Sequence, residues 1–128
     1  MIPQNLALRS SGTLAIITAL YHGILGDALL RELEIHPSEQ TGFVRATYQI
    51  GTVSWVAGGL LLIAAANMRS GFARNWIVGV SAFVYGYPAI GNFMLSKGKP
   101  SFGWIALSTV ILLALSGRVD PTQTTEEA

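Results

Sequence analysis

Residues 44–65 read VRATYQIGTVSWVAGGLLLIAA, an apolar stretch whose strongly polar side chains all lie in its first half. Arg45, Tyr48, Gln49, Thr52 and Trp55 recur at spacings of three and four residues, which places them on one face of a helix. A bilayer core about 30 Å thick is crossed by about 20 apolar residues in a helix. The stretch therefore predicts a membrane-spanning helix whose polar face is confined to one half of the membrane.

Three further apolar blocks accompany this one. The four predicted helices cover residues 12–30, 46–66, 76–95 and 101–116. The chain is 51% hydrophobic and only 12% charged, whereas about a quarter of the residues of a soluble domain are charged. We therefore expect an all-α integral membrane protein, with 1–128 forming a single membrane domain that ends in a polar tail at 117–128.

The connectors between the blocks contain signals that end a membrane helix. The first, RELEIHPSEQTG at 31–42, combines Pro37 and Gly42 with four charges, and the third, SKGKPS at 96–101, is a tight turn. Short connectors make successive helices antiparallel neighbours, so the predicted architecture is an up-down-up-down bundle with four transmembrane helices.

Lysine and arginine are divided evenly between the two ends of this bundle. Arg9, Arg69, Arg74 and Arg118 fall at one end, and Arg31, Arg45, Lys97 and Lys99 at the other. An excess of these residues marks the cytoplasmic side. If Arg45 belongs to an internal site it does not count as a connector charge, and both termini are then expected in the cytoplasm.

The polar residues of all four helices converge on the half next to the first and third connectors. His22, in LYHGILGD at 20–27, lies roughly 12 Å inside helix one at 1.5 Å per residue. Helix three has Ser81, Tyr85, Pro88 and Asn92 in this half, and helix four has Trp104 and Ser108. Ionisable groups in hydrocarbon face the bundle interior or a wet cavity. The predicted ligand-binding residues are His22, Arg45, Tyr48, Gln49, Thr52, Trp55, Tyr85 and Asn92.

Simpler roles stay open for several of these residues. His22 could hydrogen-bond across helices to Thr52 or Tyr48, which is a structural role. Arg45 could extend to the membrane interface instead of contacting an anion. Asp27 and Arg31, four residues apart, predict a salt bridge at the rim of the site.

Metal and cofactor chemistry find little support in the sequence. His36, the second of the two histidines, lies in a connector, so no metal or haem site is expected at His22 and no cofactor is predicted. The absence of cysteine excludes disulfides, thiolate metal sites and thiol redox chemistry.

Two segments, VRATYQIGTVSWVAGGLLLIAA at 44–65 and KGKPSFGWIALSTVILLAL at 97–115, resemble small four-helix bacterial inner-membrane proteins of unknown function and, more loosely, the DoxX-like proteins. The shared features are a short first helix, an arginine at the entry of helix two followed by an aromatic residue three positions on, here Arg45 and Tyr48, and the Gly98 to Pro100 turn. The resemblance implies the fold and a multi-pass location in the bacterial inner (plasma) membrane. It implies no catalytic residue.

Three functions follow as hypotheses. The first is a small membrane protein whose polar half-membrane pocket binds or transports a small ligand. The second is an accessory or structural subunit of a larger membrane complex, and the third, ranked last, is a membrane enzyme with His22 as base and Tyr85 or Asp27 as acid. The expected partners are the lipid bilayer and either a second copy of the chain or a larger complex. Nucleic acid is not expected, because the chain has no dense Lys/Arg cluster.

Overall fold

The computed structural model describes residues 2–33 and 39–120, and the regular secondary structure within them is helical. Four helices follow one another along the chain: α1 (Gln4–Glu32), α2 (Glu39–Ala65), α3 (Gly71–Leu95) and α4 (Phe102–Ser116). The predicted all-α, four-helix organisation is confirmed. His36 and Pro37 of the first connector and tail residues 121–128 lie outside the described residues.

Three of the four helices are long and apolar enough to cross a membrane, namely α1, α2 and α3. The fourth, α4, is apolar but has only 15 residues. At 1.5 Å per residue it measures about 22 Å, which is less than the roughly 30 Å of a bilayer core. Of the four predicted spans, three therefore correspond to helices of sufficient length and apolarity, and α4 falls short on length.

Three helices begin several residues before the apolar blocks that predicted them. α1 starts at Gln4, directly after Pro3, α2 starts at Glu39, and α3 starts at Gly71. Hydropathy marks the residues that tolerate hydrocarbon, whereas helical hydrogen bonding continues through polar residues that lie in water or among lipid headgroups. Glu39 in the first turn of α2 also interacts favourably with the positive end of the helix dipole. The first connector is consequently shorter than the charged stretch suggested.

Hydrogen bonds connect α1 to its neighbouring helices at several positions along its length. Near the start of α1, Arg9 Nη2 donates to Asn67 Oδ1, just beyond the end of α2, at 2.8 Å. Further along α1, the Tyr48 hydroxyl of α2 donates to the carbonyl oxygen of His22 at 3.2 Å. On the other side of α1, Ser11 Oγ donates to the carbonyl oxygen of Val110 in α4 at 2.7 Å. α1 therefore contacts both α2 and α4, and α3 completes the bundle between those two.

The buried face of α1 is made almost entirely of small residues, and it allows α2 to approach closely. These residues are Ala7, Ser11, Gly12, Ala15, Thr18, Ala19, Gly23 and Gly26, with Leu8 as the larger exception. A Cβ atom at Gly59 would come within 2.7 Å of the carbonyl oxygen of Gly12, and one at Gly12 would overlap the Gly59 carbonyl. Small residues at such crossings are the usual basis of close helix packing in membranes.

We expect Gly59→Ala to lower the free energy of unfolding by about 1–3 kcal/mol, because the added methyl group meets backbone that cannot move aside. Reversible unfolding in mixed detergent micelles measures the change. The matched control is Gly79→Ala in α3, where a Cβ meets no atom within 4 Å. Alanine there should be neutral, or stabilising by up to about 1 kcal/mol. Equal effects of the two substitutions would contradict this account of the α1–α2 contact.

Candidate ligand-binding site

A cavity of about 310 Å³ lies among the four helices at the end that leads to the first and third connectors. Four of the predicted site residues line it: His22 from α1, Tyr48 and Trp55 from α2, and Asn92 from α3. They lie on different helices, so the cavity exists only because the bundle brings those helices together. Its position is the half of the bundle that the polar pattern of the sequence singled out.

The ring of His22 lies between two aromatic side chains of α2. It stacks almost parallel on Tyr48, with ring centroids 4.2 Å apart and an interplanar angle of 6°. The ring centroids of His22 and Trp55 are 4.6 Å apart, and the two rings are inclined at 44°. Trp55 is itself buried, with 8% of its surface exposed. These contacts hold the imidazole in one orientation at the wall of the cavity.

One nitrogen of His22 is engaged with α2. Nδ1 lies 3.3 Å from the Thr52 hydroxyl, so the predicted hydrogen bond across the helices is confirmed. In the described part of the chain, Nε2 has no hydrogen-bond partner. The residues described also contain no group of three His, Asp or Glu side chains arranged to hold a metal ion. What the ring offers to the cavity is therefore one hydrogen-bonding nitrogen.

Two polar side chains of α2 are used to bind α1. The Tyr48 hydroxyl donates to the carbonyl of His22, and Gln49 Nε2 donates to the carbonyl of Gly23 at 3.1 Å. Gly26 makes this possible, because a Cβ there would overlap the Tyr48 ring. Much of the polar face predicted for α2 thus serves helix packing, and Gln49 and Thr52 border a separate groove between α1 and α2.

Arg45 forms an ion pair. Its Nε and Nη2 atoms donate to the two carboxylate oxygens of Asp27 at 2.8 and 3.1 Å. Arg31 Nε donates to the same carboxylate at 2.9 Å, which confirms the predicted rim salt bridge. The Arg45 guanidinium is thus bound bidentately, and Arg45 does not line the cavity. The anion that the sequence analysis considered as a contact of Arg45 is the Asp27 carboxylate of the protein itself.

Tyr85 and Asn92 of α3 differ in their relation to the cavity. Tyr85 is fully buried, and its hydroxyl donates to the carbonyl oxygen of Trp55 at 2.6 Å. It stands behind the Trp55 wall instead of lining the cavity. Asn92 lines the cavity, while its Nδ2 donates to the carbonyl of Pro88 in its own helix at 2.9 Å. Tyr85 therefore positions the site, and Asn92 belongs to it.

α4 contributes mainly apolar residues to the cavity. Phe102, Gly103 and Leu107 line it, whereas Trp104 and Ser108, which the sequence places in the same half of the bundle, do not. Trp104 Nε1 donates to the carbonyl of Lys99 at 2.9 Å. α4 is apolar around its whole circumference, so its few polar residues do not indicate which side faces the bundle.

Thr18 is a site residue that the sequence reasoning missed. It lines the cavity four residues before His22, one helical turn away on the same face. Its side chain is buried, and Oγ1 has no hydrogen-bond partner among the described residues. Helical spacing from His22 was the signal that could have identified it, as it could have identified Leu25 and Leu29, which also line the cavity.

Comparisons with protein-family models, with curated proteins and with solved structures found no match for this chain. The likeness to small bacterial inner-membrane and DoxX-like proteins stays a prediction. The geometry of the cavity is therefore the basis for assigning a function.

We expect Tyr85→Phe to lower the free energy of unfolding by about 1 kcal/mol, because it removes a buried hydrogen bond between α3 and α2. Tyr87→Phe is the matched control, since Tyr87 is 79% exposed and should leave stability unchanged. Unfolding in mixed micelles compares the two. A loss in Tyr87→Phe as large as that in Tyr85→Phe would show that the Trp55 carbonyl does not fix α3.

Proposed function

We propose that this chain is a multi-pass protein of the bacterial inner membrane, and that the cavity around His22 binds a small, uncharged, largely apolar ligand. In this proposal the helices run up-down-up-down, and both termini are cytoplasmic because Arg45, which is paired with Asp27, is not counted as a connector charge. The binding site then lies within one half of the membrane, next to the first and third connectors. Ligand binding or transport is the activity that this arrangement serves best.

The outer surface of the bundle supports a membrane location. Large apolar side chains point outward along the described helices, among them Phe83, Tyr87 and Leu95, which are 76%, 79% and 85% exposed. A soluble monomer rarely exposes large contiguous apolar patches. The buried side chains of α1, by contrast, are mostly small. Large residues outside and small ones inside suit a bundle that is solvated by lipid.

The walls of the cavity define the chemistry of the proposed ligand. Tyr21, Tyr48, Trp55 and Phe102 provide aromatic surface, and leucines of α1 and α4 provide much of the rest. The volume, about 310 Å³, is at the lower end of the roughly 300–1,000 Å³ of small-molecule pockets. A compact ring-containing molecule with one or two hydrogen-bonding groups matches such a surface.

One observation carries the proposal: two residues that line the same cavity, Thr18 and His22, each have a polar atom without a partner among the described residues. Thr18 Oγ1 is buried and unsatisfied, and His22 Nε2 has no hydrogen-bond partner among the described residues. A buried polar group without a partner costs about 1–3 kcal/mol, so a ligand that bonds to it recovers part of this cost. Since Arg45 is held by Asp27, no cation among the lining residues favours a charged ligand.

The test is native mass spectrometry of protein extracted from its own membranes in mild detergent. We expect a reproducible small adduct whose occupancy falls about tenfold in Thr18→Val, equivalent to one lost hydrogen bond of about 1.4 kcal/mol. His22→Ala should abolish the adduct. Because Thr18 Oγ1 has no hydrogen-bond partner among the described residues, Thr18→Val should leave the fold as stable as before or more so.

Thr109→Val is the control for this substitution. Thr109 is exposed, and its hydroxyl donates to the carbonyl of Ile105 in its own helix, so adduct occupancy should match that of the unaltered protein. An adduct that is retained in both Thr18→Val and His22→Ala would place the ligand elsewhere and overturn the proposal.

A role as a subunit of a larger membrane complex is the second candidate, and the outer face of α3 favours it. Phe72, Trp76 and Phe83 are 66%, 61% and 76% exposed around Gly79, and they border a groove of about 500 Å³. A helix of another subunit fits a groove with a glycine at its floor. Stoichiometric foreign subunits in the same mass spectra, without a small adduct, would favour this role over ligand binding.

The proposed topology predicts opposite accessibility for the two ends of α4. Because the chain has no cysteine, Lys99→Cys and Arg118→Cys each introduce a single thiol. In intact cells a membrane-impermeant maleimide should label Lys99→Cys, whereas Arg118→Cys should react only after permeabilisation. The unaltered protein is the control for background. Labelling of both positions from the same side would show that the short helix α4 does not span the membrane.

A further inference from the structure

The end of the bundle opposite the His22 cavity contains a buried arginine. Arg74, one of the arginines that the sequence places at this end, is only 5% exposed in the first turn of α3. Its Nε donates to the carbonyl of Gly117 at 2.9 Å, and Nη1 donates to Asn5 Oδ1 at 2.6 Å. Its Nη2 is buried and has no partner among the described residues. Both identified acceptors are neutral, so they leave the positive charge of Arg74 uncompensated.

Arg74 borders a second cavity, of about 450 Å³. The polar residues that line it include Gln4, Asn5, Asn67 and Arg69. Among its lining residues in the described ranges, two are arginines and none is acidic. Gly71, at the N-terminus of α3, also lines it, and the positive end of the helix dipole adds to the potential there. The cavity therefore combines the buried charge of Arg74 with several side-chain amides.

A buried cation without an ionic partner is costly, because desolvation is not offset by attraction to an opposite charge. An oxyanion in this cavity would supply that charge. Guanidinium groups bind phosphate with directional, charge-assisted hydrogen bonds, and amide N–H groups add neutral donors. The Asp27–Arg45 pair at the opposite end shows the contrasting case, in which the protein supplies its own carboxylate.

We propose that the cavity bordered by Arg74, Asn5 and Asn67 binds a phosphate-type oxyanion, with Arg74 as the central ligand. The headgroup of an anionic phospholipid and free phosphate both present this chemistry. The site is separate from the His22 cavity, and the inference does not depend on the ligand proposed there.

Asn67→Asp is the principal test variant. Asn67 lines the cavity and accepts a hydrogen bond from Arg9 through Oδ1; aspartate keeps that acceptor while it adds a negative charge that repels an anion. Gln40→Glu adds the same charge to the other end of α2, at an exposed position, and serves as the control. Arg74→Gln is a second test, although the loss of its bonds to Gly117 and Asn5 also affects folding.

Two arms of the experiment distinguish the possible sources of the anion, which are free phosphate and a phospholipid headgroup. In detergent, the melting temperature is compared in sodium phosphate and in sodium chloride of equal ionic strength. In nanodiscs, it is compared between phosphatidylcholine alone and phosphatidylcholine with phosphatidylglycerol, and bound lipid is counted by mass spectrometry. We expect a rise of about 2–4 °C in one arm for the unaltered protein and for Gln40→Glu, and its loss in Asn67→Asp.

A rise with inorganic phosphate identifies a soluble ligand, and a rise only with phosphatidylglycerol identifies a lipid headgroup. Either result supports the site when Asn67→Asp abolishes it. The absence of a rise in both arms overturns the proposal. An equal rise in Asn67→Asp, or equal loss in Gln40→Glu, also overturns it, because the effect would then arise from general charge and not from this cavity.

Discussion

The close approach of α1 and α2 is the contact on which the rest of the structure depends. Gly12 of α1 and Gly59 of α2 allow the two backbones to come into contact. Further along α1, Gly23 and Gly26 leave room for side chains of α2. Between helices in a membrane there is little hydrophobic attraction, so packing and interhelical hydrogen bonds decide the association. At this spacing the side chains of Tyr48 and Gln49 reach carbonyl oxygens of α1. Close packing and hydrogen bonding thus reinforce each other.

The His22 cavity is a consequence of that contact. The space that Gly26 leaves is filled by Tyr48, and the Tyr48 ring in turn supports one face of the imidazole. The Tyr85 hydroxyl of α3 donates a hydrogen bond to the backbone carbonyl of Trp55, and the Trp55 ring lies against His22. The two ends of the bundle then differ in charge. Near one cavity, Asp27 forms ion pairs with Arg31 and Arg45, whereas Arg74 is buried beside the other with only neutral acceptors among the described residues.

The candidate site could be anticipated from the sequence where a polar residue interrupts an apolar background. This reasoning identified four residues that line the cavity, namely His22, Tyr48, Trp55 and Asn92. A polar group in an otherwise apolar helix is costly unless it faces the bundle interior or a wet cavity. The same reasoning did not separate residues that line the cavity from those that bind a neighbouring helix, such as Gln49 and Thr52. It also identified no site residue in α4, since a helix that is apolar all round gives no sign of its orientation.

By itself, the sequence determined the helical class, the number of helices and the end of the bundle at which the His22 cavity lies. Hydropathy and helical periodicity are local properties, and they can be counted along the chain. Only the tertiary structure decided that Arg45 is neutralised by Asp27, that Thr18 borders the cavity and that Arg74 is buried. Each of these outcomes depends on how far one helix is rotated against another. That rotation depends on where the small residues of the two helices meet, and the sequence of either helix by itself does not show this.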